Sequence, residues 1–143
     1  MKKKIVIFGS TGSIGKNILS ILKKDKNKIQ ILLLTANTNY REILKQVKIF
    51  DVKNIIIKNN NKFLILKKIL KYRKINIYNN FGVINKIFKK KDIDYTMNAI
   101  SGLDGLEPTL KIIKFTNNIA IANKEAIICG WTLISSNLKK YKT

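Results

Sequence analysis

The chain has 143 residues, 45% of them hydrophobic, and a formal net charge of +21. This length suits one domain with one core, and the hydrophobic content argues against intrinsic disorder. The chain has no histidine and one cysteine, which excludes imidazole bases, Ser-His triads, intrachain disulfides and cysteine-rich zinc sites. No apolar run reaches the ~20 residues of a membrane helix and no leader segment is recognisable, so we expect a cytoplasmic protein.

Short apolar runs alternate with longer amphipathic stretches along the whole chain. Apolar runs predict strands at 5–8, 31–35, 54–58, 75–78, 95–100 and 119–122. Helical spacing predicts helices at 14–22, 40–50, 62–72, 82–88, 106–115 and 125–138. This alternation predicts a Rossmann-like, doubly wound α/β fold with a mainly parallel sheet and helices on both faces, in one domain over 1–143.

Three glycines lie between the first predicted strand and the first predicted helix. Gly9, Gly12 and Gly15 have the spacing G-x-x-G-x-x-G, where G-x-G-x-x-G is the commoner form. A glycine-rich turn lets the backbone approach a phosphate closely, and the following helix offers unpaired N–H groups and a positive dipole end. The turn therefore predicts nucleotide binding, with an ordinary tight turn as the alternative.

The segment after the second predicted strand indicates which dinucleotide is preferred. An NAD-specific fold usually has an acidic residue there that binds the ribose 2′-OH. Here no acid follows that strand before Glu42, and Asn37, Thr38 and Asn39 are accompanied by Arg41. Amide, hydroxyl and guanidinium groups suit a 2′-phosphate, so the segment favours NADP over NAD. The alternative is a polar turn without a cofactor role.

A second polar group follows the last predicted strand. Asn123, Lys124 and Glu125 begin a helix at a carboxyl strand end, which is where open α/β sheets bind ligands. An Asn, a Lys and a Glu can address the amide, phosphate or hydroxyl groups of a ligand. The same residues have simpler alternatives, since Asn123 can be a helix N-cap and Glu125 can be a residue favoured by the helix dipole.

Three other features are predicted to have no catalytic role. Asp104 and Glu107 lie on the loop before the helix at 106–115, and two carboxylates without a third ligand make a poor metal site. Cys129 lies in an apolar run and is predicted to be a small buried hydrophobe. Of the 29 basic residues only Arg41 and Arg73 are arginine, and the lysines are spread along the chain. They predict solvated faces with weak, salt-sensitive attraction to polyanions and no specific nucleic-acid site.

Taken together, residues 9–15 (GSTGSIG), the loop at 102–110 and residues 122–125 (ANKE) resemble one family. They look like the NADPH-binding domain of 1-deoxy-D-xylulose 5-phosphate reductoisomerase, and the resemblance extends over essentially the whole chain. It implies an enzyme of non-mevalonate isoprenoid biosynthesis that uses NADPH and a divalent metal, Mg or Mn. That enzyme isomerises and reduces its sugar-phosphate substrate to 2-C-methyl-D-erythritol 4-phosphate.

The resemblance also implies roles for individual residues. Thr11, Gly12, Ser13 and Ile14 would hold the cofactor pyrophosphate region. Asn37, Thr38 and Asn39 would lie by the adenosine 2′-phosphate, although many relatives have Gly-Lys-Asn at these three positions. Asn123 and Glu125 would contact NADPH, and Lys124 would face the sugar-phosphate substrate.

The chain departs from the family at its end. In the family an Asp-Ser-Glu-His segment, which supplies metal ligands and substrate contacts, follows soon after the point where Thr143 stands. We therefore expect no catalytic or metal-ligating residue here, with the catalytic and C-terminal domains absent and the chain inactive alone. The metal, the sugar phosphate and a homodimer are expected only of the complete enzyme.

Two other readings remain open. The first is a non-catalytic nucleotide- or polyanion-binding module that keeps the fold and lacks the reaction. The second is another Rossmann oxidoreductase, such as a semialdehyde dehydrogenase. That class needs a reactive catalytic cysteine, and the apolar run around Cys129 does not suit one.

Overall fold

Six strands form one sheet in the computed structural model, which describes residues 1–143. The strands are β1 Lys3–Phe8, β2 Ile29–Ala36, β3 Asn54–Ile57, β4 Asn76–Tyr78, β5 Tyr95–Asn98 and β6 Ile119–Ile121. Their order across the sheet is β4-β3-β2-β1-β5-β6, and every neighbouring pair is parallel. The predicted doubly wound parallel sheet is confirmed.

Six α-helices connect or follow these strands. They are α1 Ser13–Lys24, α2 Tyr40–Phe50, α3 Asn60–Ile69, α4 Ile84–Ile87, α5 Leu106–Ile112 and α6 Lys124–Tyr141. Short 3₁₀ turns occupy Phe81–Val83, Leu103–Gly105 and Ile113–Phe115. No helix is both long enough and apolar enough to cross a lipid bilayer.

The core consists of two apolar layers, one on each face of the sheet. In β1, Ile5 and Ile7 pack into one layer, whereas Val6 and Phe8 pack into the other. This division follows from the two-residue period of a strand, which sends successive side chains to opposite faces. Both faces of β1 are therefore buried under helices, which is why its sequence is a continuous apolar run.

Most predicted helices differ from the observed ones in their bounds, and the helices predicted at 62–72 and 82–88 show why. The helix predicted at 62–72 begins instead at Asn60, because the Asn59 side chain caps it by accepting a hydrogen bond from Lys62 N at 3.1 Å. It ends at Ile69, and Tyr72 is fully exposed beyond it. The helix predicted at 82–88 is a 3₁₀ turn followed by the four residues of α4.

The prediction that Cys129 is buried is wrong, because its side chain is exposed. Helix α6 buries Ala126, Gly130 and Ile134, which are spaced four residues apart on one face. Cys129 lies outside this stripe. The apolar run around it reflects a helix with exposed hydrophobic residues, such as Ile128, and does not mark a buried segment.

The connections run in opposite directions on either side of β1. From β1 the chain proceeds outwards through β2, β3 and β4, and it then crosses to β5 and β6 on the other side. Strands β1 and β5 are therefore adjacent while their connections run in opposite directions. This position is the topological switch point of the sheet, and a crevice opens there at the carboxyl ends of the two strands. In α/β proteins of this kind, that crevice is the usual ligand site.

Candidate functional site

A cavity of about 870 Å³ lies at the carboxyl edge of the sheet, where the switch point predicts a ligand site. Its volume is within the range of small-molecule sites. The lining residues lie at the end of β2, in the segments that follow β1, β2, β3 and β5, in the first turns of α3 and α5, and in the 3₁₀ turn that begins at Phe81. They are Gly9, Thr11, Gly12, Thr35, Ala36, Asn37, Lys58, Asn59, Asn60, Asn61, Phe81, Ala99, Ile100, Ser101, Leu103, Asp104 and Glu107.

The three glycines after β1 have different structural roles. Gly9 has φ +72°, and a Cβ there would lie 2.8 Å from the carbonyl oxygen of Ala99. A Cβ on Gly15 would overlap Gly9 O and lie 2.6 Å from Ser10 Cα. Gly12 differs, because its Cβ would meet only Gly9 O at 3.5 Å, an ordinary contact. The fold requires Gly9 and Gly15, whereas Gly12 keeps the cavity surface open.

Helix α1 begins without a side-chain cap. Its N-cap residue is Gly12, which makes no side-chain hydrogen bond. By contrast, Asn39, Asn59 and Asn123 cap helices α2, α3 and α6, each accepting a hydrogen bond from a first-turn N–H. The first-turn N–H groups of α1 thus lack a protein side chain as partner, and an anion beside Gly12 would satisfy them.

A buried hydrogen-bond network holds the glycine turn in place. Ser10 Oγ donates to Gln46 Oε1 at 2.7 Å, and Gln46 Nε2 donates to Ser10 O at 2.9 Å. The N–H of Gly9 donates to Thr35 Oγ1 at 2.9 Å. These bonds join the turn to β2 and α2. Neither Gln46 nor Thr35 was predicted from the sequence, although a Gln beside the buried Ile43 and Val47 of one helix face is a signal for such a role.

The predicted 2′-phosphate residues are only partly brought into the cavity. Asn37 is exposed and lines it. Thr38 is exposed but lies outside the lining residues. Asn39 caps α2, its Oδ1 accepting from Glu42 N at 3.1 Å. One of the three side chains therefore faces the cavity, and contact of all three with a cofactor stays a prediction.

At the same edge of the sheet, but after β6, Asn123 has a structural role. Its Oδ1 accepts from Ala126 N at 2.8 Å, which caps α6. Its Nδ2 donates to Ile100 O at 2.6 Å and also to Gly102 O. The structure therefore shows Asn123 as the helix N-cap, which was the alternative to a ligand contact. Lys124 and Glu125 are exposed in the first turn of α6 and do not line the cavity.

A second asparagine, which the sequence analysis did not single out, shapes the same wall. Asn98 is fully buried at the end of β5. Its Nδ2 lies 2.7 Å from both Gly105 O and Thr109 Oγ1, and its Oδ1 accepts from Ile100 N at 3.1 Å. Asn98, at the end of β5, and Asn123, at the N-cap of α6, therefore hold the loop that forms one wall of the cavity.

The cavity is also lined by three charged residues: Asp104 and Glu107, which were predicted to be loop residues without a catalytic role, and Lys58, for which no role was predicted. Lys58, directly after β3, is the one cation among the lining residues, and Asp104 and Glu107 are the acids. The signal for Lys58 was its position at a carboxyl strand end. No group of three or more Cys, Asp or Glu side chains comes together to hold a metal ion, so the residues present do not fit the divalent metal that the resemblance implies.

The parallel sheet, its strand order and a cavity at the switch point define the Rossmann-like class of α/β proteins. Within that class, residues 5–130 match the family model of 1-deoxy-D-xylulose 5-phosphate reductoisomerase. The chain belongs to this family, which confirms the resemblance inferred from the sequence.

Curated relatives agree with this assignment. The chain is 61% identical, over 142 residues, to the 1-deoxy-D-xylulose 5-phosphate reductoisomerase of Pelagibacter ubique (strain HTCC1062), with 99% of this chain and 37% of the relative covered. It is 39% identical to that of Buchnera aphidicola subsp. Schizaphis graminum (strain Sg), with 96% of this chain and 36% of the relative covered. The chain thus spans a little over a third of the length of these relatives.

Solved structures give the same result. The reductoisomerase from Zymomonas mobilis in complex with NADPH superposes with a TM-score of 0.88 at 26% identity, covering all of this chain and 38% of the other. A DOX-P reductoisomerase in complex with NADPH, fosmidomycin and magnesium gives a TM-score of 0.87 at 25% identity, covering 97% of this chain and 34% of the other.

Proposed function

We propose that residues 1–143 are an NADPH-binding domain and that the cofactor occupies the cavity at the carboxyl edge of the sheet. The observation that carries the proposal is the uncapped start of α1, preceded by a glycine turn in which Gly12 has room for a close ligand. A pyrophosphate there would accept hydrogen bonds from backbone N–H groups at the positive end of the helix.

The residue roles follow the family resemblance. Thr11 and Gly12 line the cavity, and Ser13 and Ile14 begin the uncapped helix, which supports a pyrophosphate site at these residues. For the 2′-phosphate, the support is that Asn37 lines the cavity. The proposed set comprises Thr11, Gly12, Ser13, Ile14, Asn37, Thr38, Asn39, Asn123 and Glu125 for NADPH and Lys124 for the substrate.

Asn123 and Glu125 would act in different ways within this set. The Asn123 amide already bonds to Ile100 and Gly102, so its contribution is to position the cavity wall. Glu125 and Lys124 are exposed at the start of α6, where their side chains remain available to a ligand. When bound, NADPH supplies the hydride for a reduction.

We further propose that the domain serves a 1-deoxy-D-xylulose 5-phosphate reductoisomerase, whose sugar-phosphate substrate and divalent metal are bound with residues beyond those of this chain. Two findings support it: the family membership, and the 37% of the Pelagibacter ubique relative that this chain covers. We expect the purified chain alone not to turn over the sugar phosphate, and measurable NADPH oxidation with that substrate would contradict this. A cytoplasmic location and a homodimer of the complete enzyme remain predictions.

Calorimetric titration with NADPH and with NADH, at about 0.15 M and about 0.6 M salt, tests the binding proposal. We expect saturable NADPH binding that persists at the higher salt and exceeds NADH binding. The alternative of a general polyanion-binding module has support in the net charge of +21. It predicts equal, weak binding of both nucleotides that disappears as salt is added.

A glycine variant isolates the pyrophosphate site. Gly12→Val adds a side chain toward the cavity, where the fold itself has room for a Cβ. We expect NADPH binding to weaken by about tenfold or more, the equivalent of one charge-assisted hydrogen bond, with little change in Tm. The exposed helix variant Ile21→Val, on the outer surface of α1, is the matched control and should bind as the unchanged chain does.

A further inference from the structure

The cavity has its positive charge on one side. Lys58 is its one lining cation, at the end of β3, whereas the acids Asp104 and Glu107 stand on the wall that follows β5. A ligand with an additional dianionic group at one end would therefore be oriented in the cavity, with that group toward β3 and away from the two carboxylates.

Backbone hydrogen bonds hold Lys58 beside the segment after β2. The parallel pairing of β2 and β3 aligns Ala36 with Ile57. The ladder then continues beyond the strands, since Lys58 N donates to Ala36 O at 3.0 Å and Asn59 N donates to Asn37 O at 3.1 Å. Lys58 is consequently a direct neighbour of the position at which dinucleotide-binding folds recognise the adenosine 2′-substituent.

The ammonium group of Lys58 has no acidic partner. Its Nζ lies 5.0 Å from the ring centroid of Phe81, which is buried and also lines the cavity. It takes part in none of the ion pairs of the structure. The aromatic ring supports the aliphatic stem and the charge, while the three N–H donors remain available to an anionic ligand.

The other cations near this segment are directed elsewhere. Arg41 lies over the ring of Tyr40 at 5.9 Å, and its Nε donates to the Tyr40 hydroxyl at 3.4 Å. Lys62 Nζ lies 5.5 Å from the same ring centroid. Neither residue lines the cavity. The sequence pattern pointed to Arg41 for the 2′-phosphate, whereas the geometry favours Lys58.

We propose that Lys58 is the residue that distinguishes NADPH from NADH, by binding the adenosine 2′-phosphate from the end of β3. This assignment rests on the proposed NADPH site. Asn37, Thr38 and Asn39 contain no cation, so the charge that attracts the 2′-phosphate would come from Lys58, at the end of the neighbouring strand.

The test compares two substitutions of Lys58 in the full chain, one that removes the positive charge and one that keeps it. Lys58→Met keeps an apolar stem against Phe81 and removes the ammonium group. We expect its dissociation constant for NADPH to rise about tenfold to a hundredfold, the effect of losing a charge-assisted bond, while that for NADH changes less than about twofold. Lys58→Arg keeps the charge and should retain the preference for NADPH.

Arg41→Gln and Lys62→Gln are matched controls, because each removes one positive charge close to the same segment. Both should keep the NADPH preference within about threefold, since long-range attraction is weak at physiological salt. An equal loss of NADPH and NADH binding in Lys58→Met, no loss at all, or a lost preference in Arg41→Gln would overturn the assignment while leaving the proposed function intact. Failure of the unchanged chain to bind NADPH would overturn both.

Discussion

The two sides of the switch point use polar residues at the same sheet edge in opposite ways. After β1, Gln46 and Thr35 hold the glycine turn by hydrogen bonds, and the exposed Gly12 gives helix α1 no side-chain cap. After β5 and β6, the amides of Asn98 and Asn123 are engaged in bonds within the protein. On the β1 side, backbone N–H groups remain available to a ligand, whereas on the β5 and β6 side the amides hold the loop that forms one wall of the cavity.

Burial accounts for this difference. Asn98 is 0% exposed and Asn123 is 5% exposed, and a buried amide without partners would be strongly destabilising. Asn37, Gly12 and Ser13 are exposed, so water can satisfy their polar groups until a ligand replaces it. A polar residue at a ligand-binding edge is therefore available to a ligand only if the fold leaves it exposed.

The largest expected effect is on the glycine side. Gly15→Ala should destabilise the chain by about 3 kcal/mol, because the added Cβ meets rigid backbone at Gly9 and Ser10. Urea unfolding followed by circular dichroism measures it. Gly12→Ala is the control and should stay within about 1 kcal/mol of the unchanged chain. Similar losses in both variants would show that the two glycines do not differ as described.

The second prediction concerns Asn98 and Asn123, which hold the loop that forms one wall of the cavity. Asn98→Ala should lower the free energy of unfolding by about 2 kcal/mol, because Ile100 N loses its acceptor and the buried bonds to Gly105 O and Thr109 Oγ1 are lost. Asn123→Ala should lower it by about 1–2 kcal/mol through loss of the α6 cap and the loop bonds. Asn37→Ala, at an exposed position, should change it by less than about 0.5 kcal/mol. A large loss of stability in Asn37→Ala would show that Asn37, like Asn98 and Asn123, has a structural role, which would contradict the contrast between the two sides.

The smallest effect concerns the opposite end of β1 and the loop before β5. The N–H of Lys4 donates to Asp94 Oδ2 at 2.8 Å, which lowers the pKa of that carboxyl below its usual value near 3.8, with a lesser contribution from Lys3. Because this pKa is lower in the folded state, the ionised carboxyl stabilises the fold at pH values above its usual pKa. The stabilisation is lost as pH falls through the folded-state pKa.

Asp94→Asn should therefore reduce Tm slightly at neutral pH, and the difference should vanish as pH falls through the lowered pKa of Asp94 in the folded state. Thermal unfolding at several pH values measures this, with Asp104→Asn as a control whose carboxylate has no ion-pair partner in the structure. A Tm difference that persists unchanged in acid would show that the Asp94 charge is not its cause.

Much of the fold was predictable because its signals are local. The helix predicted at 40–50 is observed as Tyr40–Phe50, and the strand at 54–58 as Asn54–Ile57. Periodicity, a continuous apolar run and glycine spacing depend only on neighbouring residues. Helix ends were less accurate where a cap decided them, as at Asn59. The burial of Cys129 was predicted wrongly because apolar composition does not say which helix face meets the sheet.

By itself, the sequence determined the α/β class, the glycine turn and the family, since each is encoded in a short segment with its own spacing. Only the tertiary structure decided which polar residues remain available. Lys58 comes beside Asn37 and Gln46 beneath Ser10 because parallel pairing and helix packing join segments distant in the chain. Burial then determines that Asn123 bonds within the protein while Gly12 stays open to a ligand.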